Sequence, residues 1–287
     1  MKSIYLHEVS SAFTGFSAYV FGAFLLLFGG IYTLAYNHDL HVAEFQYVLQ
    51  NMSFLFIFII PVVTMRVWAE ERRQKTEQLL YALPISTTQV ILGKYAALLL
   101  VFLIPLCFVA LYPLLFSQFG EVYLPTAYGS LFAFFLLGAA LIAVGVFLSS
   151  LTDNQGLAAG LGIGAILLNY YSVSLSEYVS STAIGSLVTF AVLIVCLGLI
   201  IRALTRNDML SIAVGLVLLA ALIGVYALDG TALEGLLPDI MKTLSLFSRF
   251  SVFVNGVFDL TGVVYFLSVT VFFLFLAVQS MEKRRYN

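Results

Sequence analysis

The side chains best suited to metal binding are the two histidines of His38-Asp39-Leu40-His41, a stretch that Glu44 follows closely. An i, i+3 spacing puts both imidazoles on one face of a helix, as a zinc site would require. An ordinary polar loop has the same residue types, and we favour that interpretation. We therefore assign no metal ligand in this chain.

Hydrolysis of ATP would need a phosphate-binding loop, and the sequence lacks the pattern Gly-x-x-x-x-Gly-Lys-[Ser/Thr]. Its only Gly-Lys pair is Gly93-Lys94, which Tyr95 follows, and Thr88 stands where the first glycine should be. His-Glu-x-x-His is also absent, and no two carboxylates lie together within an apolar run. We therefore predict no catalytic and no cofactor-binding residue, which argues against an enzyme.

The composition indicates a membrane protein. Of the 287 residues, 62% are hydrophobic and 10% are charged, whereas soluble domains carry about 25% charged residues. A helix needs roughly 20 apolar residues to cross a bilayer, so the chain has room for several spans as one transmembrane permease domain, residues 1–287. The formal net charge is -2 and the basic residues are scattered, so no nucleic-acid partner is expected.

Eight apolar runs predict an all-α, polytopic fold with about eight transmembrane helices. A short interfacial helix is predicted over residues 1–14, because apolar side chains recur there near helical spacing. The predicted spans are residues 15–36, 48–67, 95–116, 127–150, 155–172, 183–204, 209–228 and 260–281. The weakest boundary lies between the fourth and fifth predicted spans, where Thr152-Asp153-Asn154 is the only polar break, and we interpret it as a tight cytoplasmic turn.

Basic residues set the orientation of these spans, because cytoplasmic loops are rich in lysine and arginine. An even number of spans puts both termini on one side of the membrane. Only Lys242 and Arg249 fall on the other side. The eleven on the side of the termini are Lys2, Arg66, Arg72, Arg73, Lys75, Lys94, Arg202, Arg206, Lys283, Arg284 and Arg285. We therefore predict cytoplasmic termini in a multi-pass protein of the inner, cytoplasmic membrane.

The most charged stretch is a cytoplasmic loop, residues 68–94, between the second and third spans. Glu71 and Lys75 are spaced i, i+4, as are Arg73 and Glu77, so opposite charges can support a surface helix. The apolar strip on this helix consists of Thr76, Leu80 and Leu83. A solvated loop with the usual positive charge is the alternative.

Later in the same loop, residue types that end one helix and begin another occur close together. Pro84 predicts the end of the loop helix, and Ser86 or Thr87 can cap the next helix, which runs towards Lys94.

Four stretches around this loop carry a family resemblance. They are Ile60-Pro-Val-Val-Thr-Met-Arg-Val-Trp-Ala-Glu-Glu-Arg-Arg73, Thr76-Glu-Gln-Leu-Leu80, Leu83-Pro-Ile-Ser86 and Leu92-Gly-Lys-Tyr95. Together they resemble the permease subunits of type-two ABC exporters, and most of all the gliding-motility-type subgroup. Residues 8–36 and 247–285 are similar to that subgroup as well. One departure is Lys75, which stands where family members often have glycine, and it affects the boundary of the loop helix.

The resemblance implies that the loop is a coupling helix, which docks in a groove of a separate ABC ATP-binding subunit. The matching ATPase-coupling residues are Glu70, Glu71, Arg72, Arg73, Thr76, Glu77, Leu80 and Leu83. Two copies of that partner would carry ATP and Mg, and this chain would hold no cofactor. The resemblance also implies a second permease copy or a sibling permease, allows an auxiliary membrane subunit, and leaves the lipid bilayer as the surroundings.

Two further sets of residues gain an interpretation from the resemblance. Gly156, Gly160 and Gly164 form overlapping Gly-x-x-x-Gly units, which allow close helix approach either within the chain or at a subunit interface. The external segment, residues 229–259, resembles the one that forms the family's re-entrant helix. Its candidate external gate residues are Phe247, Phe250, Val254 and Phe258; an interfacial helix without a gating role fits equally well.

These observations predict the permease subunit of an ABC transporter, which exports a substrate with ATP hydrolysed by another chain. An ion-coupled carrier and a non-transporting accessory subunit are the alternatives. A carrier would keep ionisable groups inside the membrane, whereas every charged residue here is expected at or beyond a span end. The sequence does not indicate the class of substrate.

The predicted topology can be checked by labelling intact cells. The test uses a chain in which Cys107 and Cys196 are replaced with alanine and single cysteines are introduced. We expect cysteines at Gln46 and Thr231 to react with an impermeant thiol reagent, and one at Gln74 to react only after the membrane is opened. Labelling of position 74 in intact cells would contradict the eight-span topology.

Overall fold

The computed structural model describes residues 2–15, 17–35, 44–68, 86–118, 122–179, 181–205, 208–228 and 233–286. Within these ranges there is no β-strand, and the predicted all-α fold is confirmed. The described helices are α1 (Lys2–Thr14), α2 (Ser17–Thr33), α3 (Phe45–Ser53), α4 (Phe56–Thr64), α5 (Thr87–Val109), α6 (Tyr112–Phe116), α7 (Leu124–Leu151), α8 (Gln155–Tyr178), α9 (Ala183–Thr205), α10 (Asp208–Leu228), α11 (Leu236–Leu244), α12 (Leu246–Val254) and α13 (Leu260–Tyr286).

Each predicted span contains helix, but eight membrane crossings are not confirmed. Four helical stretches of the described chain are long and apolar enough to cross a membrane: Thr87–Phe116, Leu124–Leu151, Gln155–Tyr178 and Leu260–Arg284. Two bent pairs, α1 with α2 and α3 with α4, raise the number to six if each pair is one span. The apolar parts found in α9 and α10 are shorter. Length and composition therefore support four to six spans.

The second predicted span is broken in the middle. Its two halves, Phe45–Ser53 and Phe56–Trp68, meet at 56°. At the break the backbone N–H of Phe54 bonds to the carbonyl of Asn51 at 3.2 Å, and that of Leu55 to Met52 at 3.0 Å. These are i to i+3 bonds, which tighten a helix locally and change its direction.

Contact clustering divides the chain into two compact units. Unit 1 is Met1–Tyr170 with Leu246–Asn287, and unit 2 is Tyr171–Ser245. In unit 1 we call the end where residues 68 and 86 lie the loop end, and the end where α7 begins the opposite end. The single permease domain over residues 1–287 remains a prediction.

Helix α7 is the centre of unit 1. In its most apolar stretch 72% of the residues are buried, against 22% in α13. It packs most extensively against α13, and also against α12, α4, α3 and α5. Small residues permit this, because they let backbones approach closely in a membrane protein. Its side chains at Ala133, Ala140 and Ala143 are fully buried.

Two glycines of α7 accept neighbours that a side chain would exclude. A Cβ atom on Gly138 would overlap the ring of Phe102 in α5, and one on Gly145 would lie 2.8 Å from Cβ of Thr64 in α4. Aromatic rings fill the space beside them, with Phe56 and Phe134 centred 4.5 Å apart. The positions of α4 and α5 therefore depend on the absence of side chains at these two sites.

Unit 2 contains α9 and α10, which pack against each other. At the start of α9 the hydroxyl of Thr182 accepts the backbone N–H of Gly185 at 3.2 Å. The N–H of Gly235 donates to the carbonyl of Ser181 at 2.9 Å, and its φ of 68° lies in the left-handed region that favours glycine. The predicted helices over residues 183–204 and 209–228 are thus both present.

We expect Gly145→Ala to destabilise the protein, because its methyl group would overlap the side chain of Thr64. Overpacking of this kind costs about 1–3 kcal/mol. Gly30→Ala is the control: a Cβ at Gly30 meets no described atom within 4 Å, so this change should be neutral or stabilise by up to about 1 kcal/mol. Thermal unfolding of both variants in detergent measures the difference, and equal stability would contradict the close packing of α7.

Candidate functional site at the base of residues 69–85

The predicted coupling residues lie outside the described residues. This applies to the whole set of Glu70, Glu71, Arg72, Arg73, Thr76, Glu77, Leu80 and Leu83, and to His38 and His41. The structure describes the two ends of residues 69–85, which are the middle of the predicted loop 68–94: residues 66–68 lie before them and Ser86 lies after them. We call these two ends the loop base.

Ser86 directly follows residues 69–85 and is the N-cap of α5. Its hydroxyl oxygen accepts the backbone N–H of Gln89 at 3.3 Å, and its own backbone is extended. Serine is among the preferred residues at this position, because its oxygen satisfies an N–H group that has no partner within the helix. The predicted cap is therefore confirmed, and Ser86 rather than Thr87 provides it.

Lys94 contacts Val67 and Trp68, the residues that directly precede residues 69–85. Its ammonium nitrogen lies 2.6 Å from Oε1 of Glu8 in α1 and donates to the carbonyl of Val67 at 3.3 Å. The same nitrogen lies 5.0 Å from the centre of the Trp68 ring. The Lys94 side chain is 2% exposed and that of Glu8 is 25% exposed. One buried cation thus joins α1, α5 and the end of the second predicted span.

The neighbours of this cation account for its position, beginning with the carbonyl of Val67, to which it donates a hydrogen bond. A buried cation also needs an anionic partner, which Glu8 provides. The ring of Trp68, which is itself 1% exposed, contributes a further attraction through its π face.

Ser149 of α7 completes the base. Its hydroxyl accepts the backbone N–H of Trp68 and donates to the carbonyl of Met65, both at 3.3 Å. Together, Lys94 and Ser149 bind two carbonyls and one N–H of residues 65–68. Residues 65–68 are therefore attached to both α5 and α7.

The sequence did not predict this cluster. Lys94 was expected just outside the third span, but it lies two turns inside the helix Thr87–Phe116 and is buried. A usable signal was present in α1, where Glu8 follows Ile4 by four residues and so shares its face, and Ile4 is buried. A carboxylate on the apolar face of a helix indicates a basic partner.

A second polar contact at the loop end holds the turn between α7 and α8. The side-chain oxygen of Asn154 accepts the backbone N–H of Gly156 at 2.9 Å. From α13, Arg284 contacts Oδ1 of Asp153 at 2.8 Å and donates to the carbonyl of Leu151 at 2.7 Å. The predicted tight turn is confirmed. The side chain of Arg284 is 38% exposed and that of Asp153 is 72% exposed, so this ion pair contributes little to the stability of the protein.

The predicted gate residues lie at the opposite end. Phe247, Phe250 and Val254 are buried in α12, whereas Phe258 lies beyond that helix and is 59% exposed. The ring of Phe250 is centred 5.9 Å from that of Phe134 in α7. The structure therefore brings three of the four together, as part of the packed core.

Two hydrogen bonds set the position of α12. Its first backbone N–H, of Leu246, donates to the side-chain oxygen of Asn169 in α8 at 3.0 Å. Near its other end the carbonyl of Phe253 accepts the hydroxyl of Ser130 in α7 at 3.0 Å. Beside this end is an open cavity of about 150 Å³, lined by Tyr123, Pro125, Thr126, Gly129, Phe253, Gly256, Val257 and Phe258.

Asp259 begins α13 at the same end. Its carboxylate accepts the backbone N–H groups of Thr261 at 2.9 Å and Gly262 at 3.0 Å. Desolvation alone would raise the pKa of this carboxyl group. The hydrogen bonds from Thr261 and Gly262 and the charge of Arg249 outweigh it, so the pKa lies below its usual value. Asp259 therefore caps the helix as an anion.

The glycines Gly156, Gly160 and Gly164 do not provide the packing of α8 that the structure describes. A Cβ on Gly160 or Gly164 would meet no described atom within 4 Å. The close approach is at Gly162 instead, where a Cβ would lie 2.9 Å from Cβ of Pro61 in α4.

Comparison with known families identifies the class of protein. Residues 31–176, just over half of the 287, match the family described as ABC-2 family transporter protein. The chain belongs to this family, and it is therefore a multi-pass membrane protein that serves as a transport subunit and is not itself catalytic. The matched region contains residues 69–85 and both fixed ends. A search of curated proteins gives no match.

Replacing Ser149 tests the base of the loop. Ser149→Ala would leave the N–H of Trp68 and the carbonyl of Met65 without this partner in a buried place, which costs about 1–3 kcal/mol. Ser268→Ala is the control, because Ser268 is exposed and its hydroxyl donates to the carbonyl of Tyr265 in its own helix. We expect a lower unfolding temperature in detergent for the first variant alone. Matching temperatures would show that the Ser149 contacts contribute no stability.

Proposed function

We propose that this chain is the permease subunit of an ABC exporter, and that residues 69–85 couple it to a separate ATP-binding subunit. The observation that carries the proposal is the fixation of both ends of this segment. Trp68 is held by Lys94 and Ser149, and Ser86 is the cap of α5. Both ends are thus attached to α5.

This attachment suits the transmission of force. Lys94 follows Ser86 by eight residues, or about 12 Å along the axis of α5. A short helix on two fixed ends moves as a rigid body, so a push on it tilts the helices to which it is joined. A segment attached at only one end would absorb the same push by bending.

The residues of the segment fit a docking role. The charges of Glu71, Arg73, Lys75 and Glu77 can pair along a surface helix. Leu80 adds an apolar contact that a partner could bury. The sequence therefore combines an apolar anchor with a polar rim, the usual arrangement of a protein interface.

The complex that we propose contains two ATP-binding subunits, which carry ATP and Mg, and a second copy of the permease or a sibling. The open glycine face at Gly160 and Gly164 of α8 is available for contact between permeases. The gliding-motility-type resemblance supports a location in the inner, cytoplasmic membrane. At the external side, α12 would close the pathway.

An ion-coupled carrier fits the described residues less well. The buried charge of Lys94 is paired with Glu8 and used to hold the loop base. Carriers use ionisable groups near the middle of the membrane, where they bind moving ions. Lys94 instead lies close to the start of its helix.

Two variants of the loop test the coupling. Leu80→Asp should weaken association with the ATP-binding subunit, because it places an unpaired charge in an apolar contact. Lys75→Ala is the control, since it removes an exposed pair worth roughly 0.2–0.5 kcal/mol and should leave binding intact. The measurements are membrane insertion, co-purification of an ABC ATP-binding protein identified by mass spectrometry, and ATP turnover of the complex.

The purified chain without its partner should hydrolyse no ATP. An inserted Leu80→Asp protein that recruits and stimulates the ATP-binding subunit normally would overturn the coupling assignment.

A further inference from the structure

We propose that Glu8 and Lys94 form a positioning pair that fastens α1 to the base of the coupling loop, so that the first predicted span moves with the second and third. This inference rests on the proposed function. The loop is joined by the chain itself only to the second and third spans. The ion pair adds a connection to α1, which directly precedes α2.

The contacts of α1 support this role. It packs extensively against α5, with Ile4 buried and Glu8 one turn further on. From that turn, Oε1 of Glu8 reaches the ammonium group of Lys94 at 2.6 Å. The ammonium group donates at the same time to the carbonyl of Val67. One side chain therefore contacts α1 and the loop base simultaneously.

The burial of Lys94 makes the connection between α1 and α5 resistant to displacement. Apolar contacts slide with little change in free energy, whereas separation of a buried ion pair leaves an uncompensated charge. Lys94 is 2% exposed, so water does not readily replace Glu8. Displacement of α1 relative to α5 is therefore disfavoured, and the two helices move together.

The other ion pair of the loop end provides a matched comparison. Arg284 and Asp153 are 2.8 Å apart at the same end of unit 1, but both side chains are exposed to solvent. Solvent screens such a pair. Asp153→Asn should therefore leave the distance between α1 and α5 unchanged.

The first measurement concerns the chain alone. Spin labels are attached to cysteines at Ser11 and Thr88, which are exposed positions of α1 and α5, in the background Cys107→Ala with Cys196→Ala. We expect a narrow distance distribution in the parent and in Asp153→Asn, and a broader one in Glu8→Gln and Lys94→Met. Lys94→Arg keeps the charge and should keep the narrow distribution.

The second measurement is ATP turnover in the complete complex, at equal recruitment of the ATP-binding subunit. We expect Glu8→Gln and Lys94→Met to lower the stimulated turnover roughly fivefold or more, the lower range of coupling between sites. The double variant should be no worse than Lys94→Met, because the two residues act as one unit.

The outcomes separate the two proposals. If the parent chain recruits no ATP-binding subunit, the proposed function fails, and a broadened distance in Glu8→Gln still supports the pairing of α1 with α5. If the parent is stimulated and Glu8→Gln and Lys94→Met keep both the narrow distance and the full turnover, the positioning role is overturned. Additive losses in the double variant would also overturn it. Should Lys94→Met fail to insert, Glu8→Gln compared with Lys94→Arg decides the question.

Discussion

Close packing around α7 is the constraint on which the rest of unit 1 depends. Lipid tails are as apolar as leucine, so helices in a membrane associate through contact rather than through exclusion of water. The side chain of Thr64 in α4 packs directly on Gly145, and the ring of Phe102 in α5 packs directly on Gly138. Towards one end Ser130 binds α12, and towards the other Ser149 binds residues 65–68. One helix thereby places both the loop base and α12.

Many of the polar contacts that position elements of unit 1 are gathered towards its two ends. Lys94 with Glu8 and Arg284 with Asp153 lie at the loop end, while Asp259 caps α13 at the opposite end. This distribution follows from the cost of an unsatisfied polar group in hydrocarbon. The middle is filled largely by aromatic and small residues, which resist deformation because they are closely packed. Movement at one end is therefore carried by whole helices.

The sequence predicted features that depend on local pattern. Long apolar runs predicted the helical fold class. Ser86 was predictable as a helix cap because its hydrogen bond reaches only three residues along the chain. Thr152-Asp153-Asn154 predicted the turn between α7 and α8. The break at Phe54 and Leu55 was missed, since both residues are apolar and neither glycine nor proline marks it. The pairing of Glu8 with Lys94 was missed because 86 positions separate them. Periodicity shows which face is apolar but does not name the partner.

The contact between α7 and α13 has a consequence for how the protein is made. Among the described helices these two pack together most extensively, yet residues 152–259 are synthesised between them. During translation α7 is therefore inserted long before its main partner exists, and its small-residue face remains open to lipid or to an insertion factor. Bonds such as that from Arg284 to Leu151, across 133 positions, form last. The packing of unit 1 therefore cannot be completed before α13 has been synthesised.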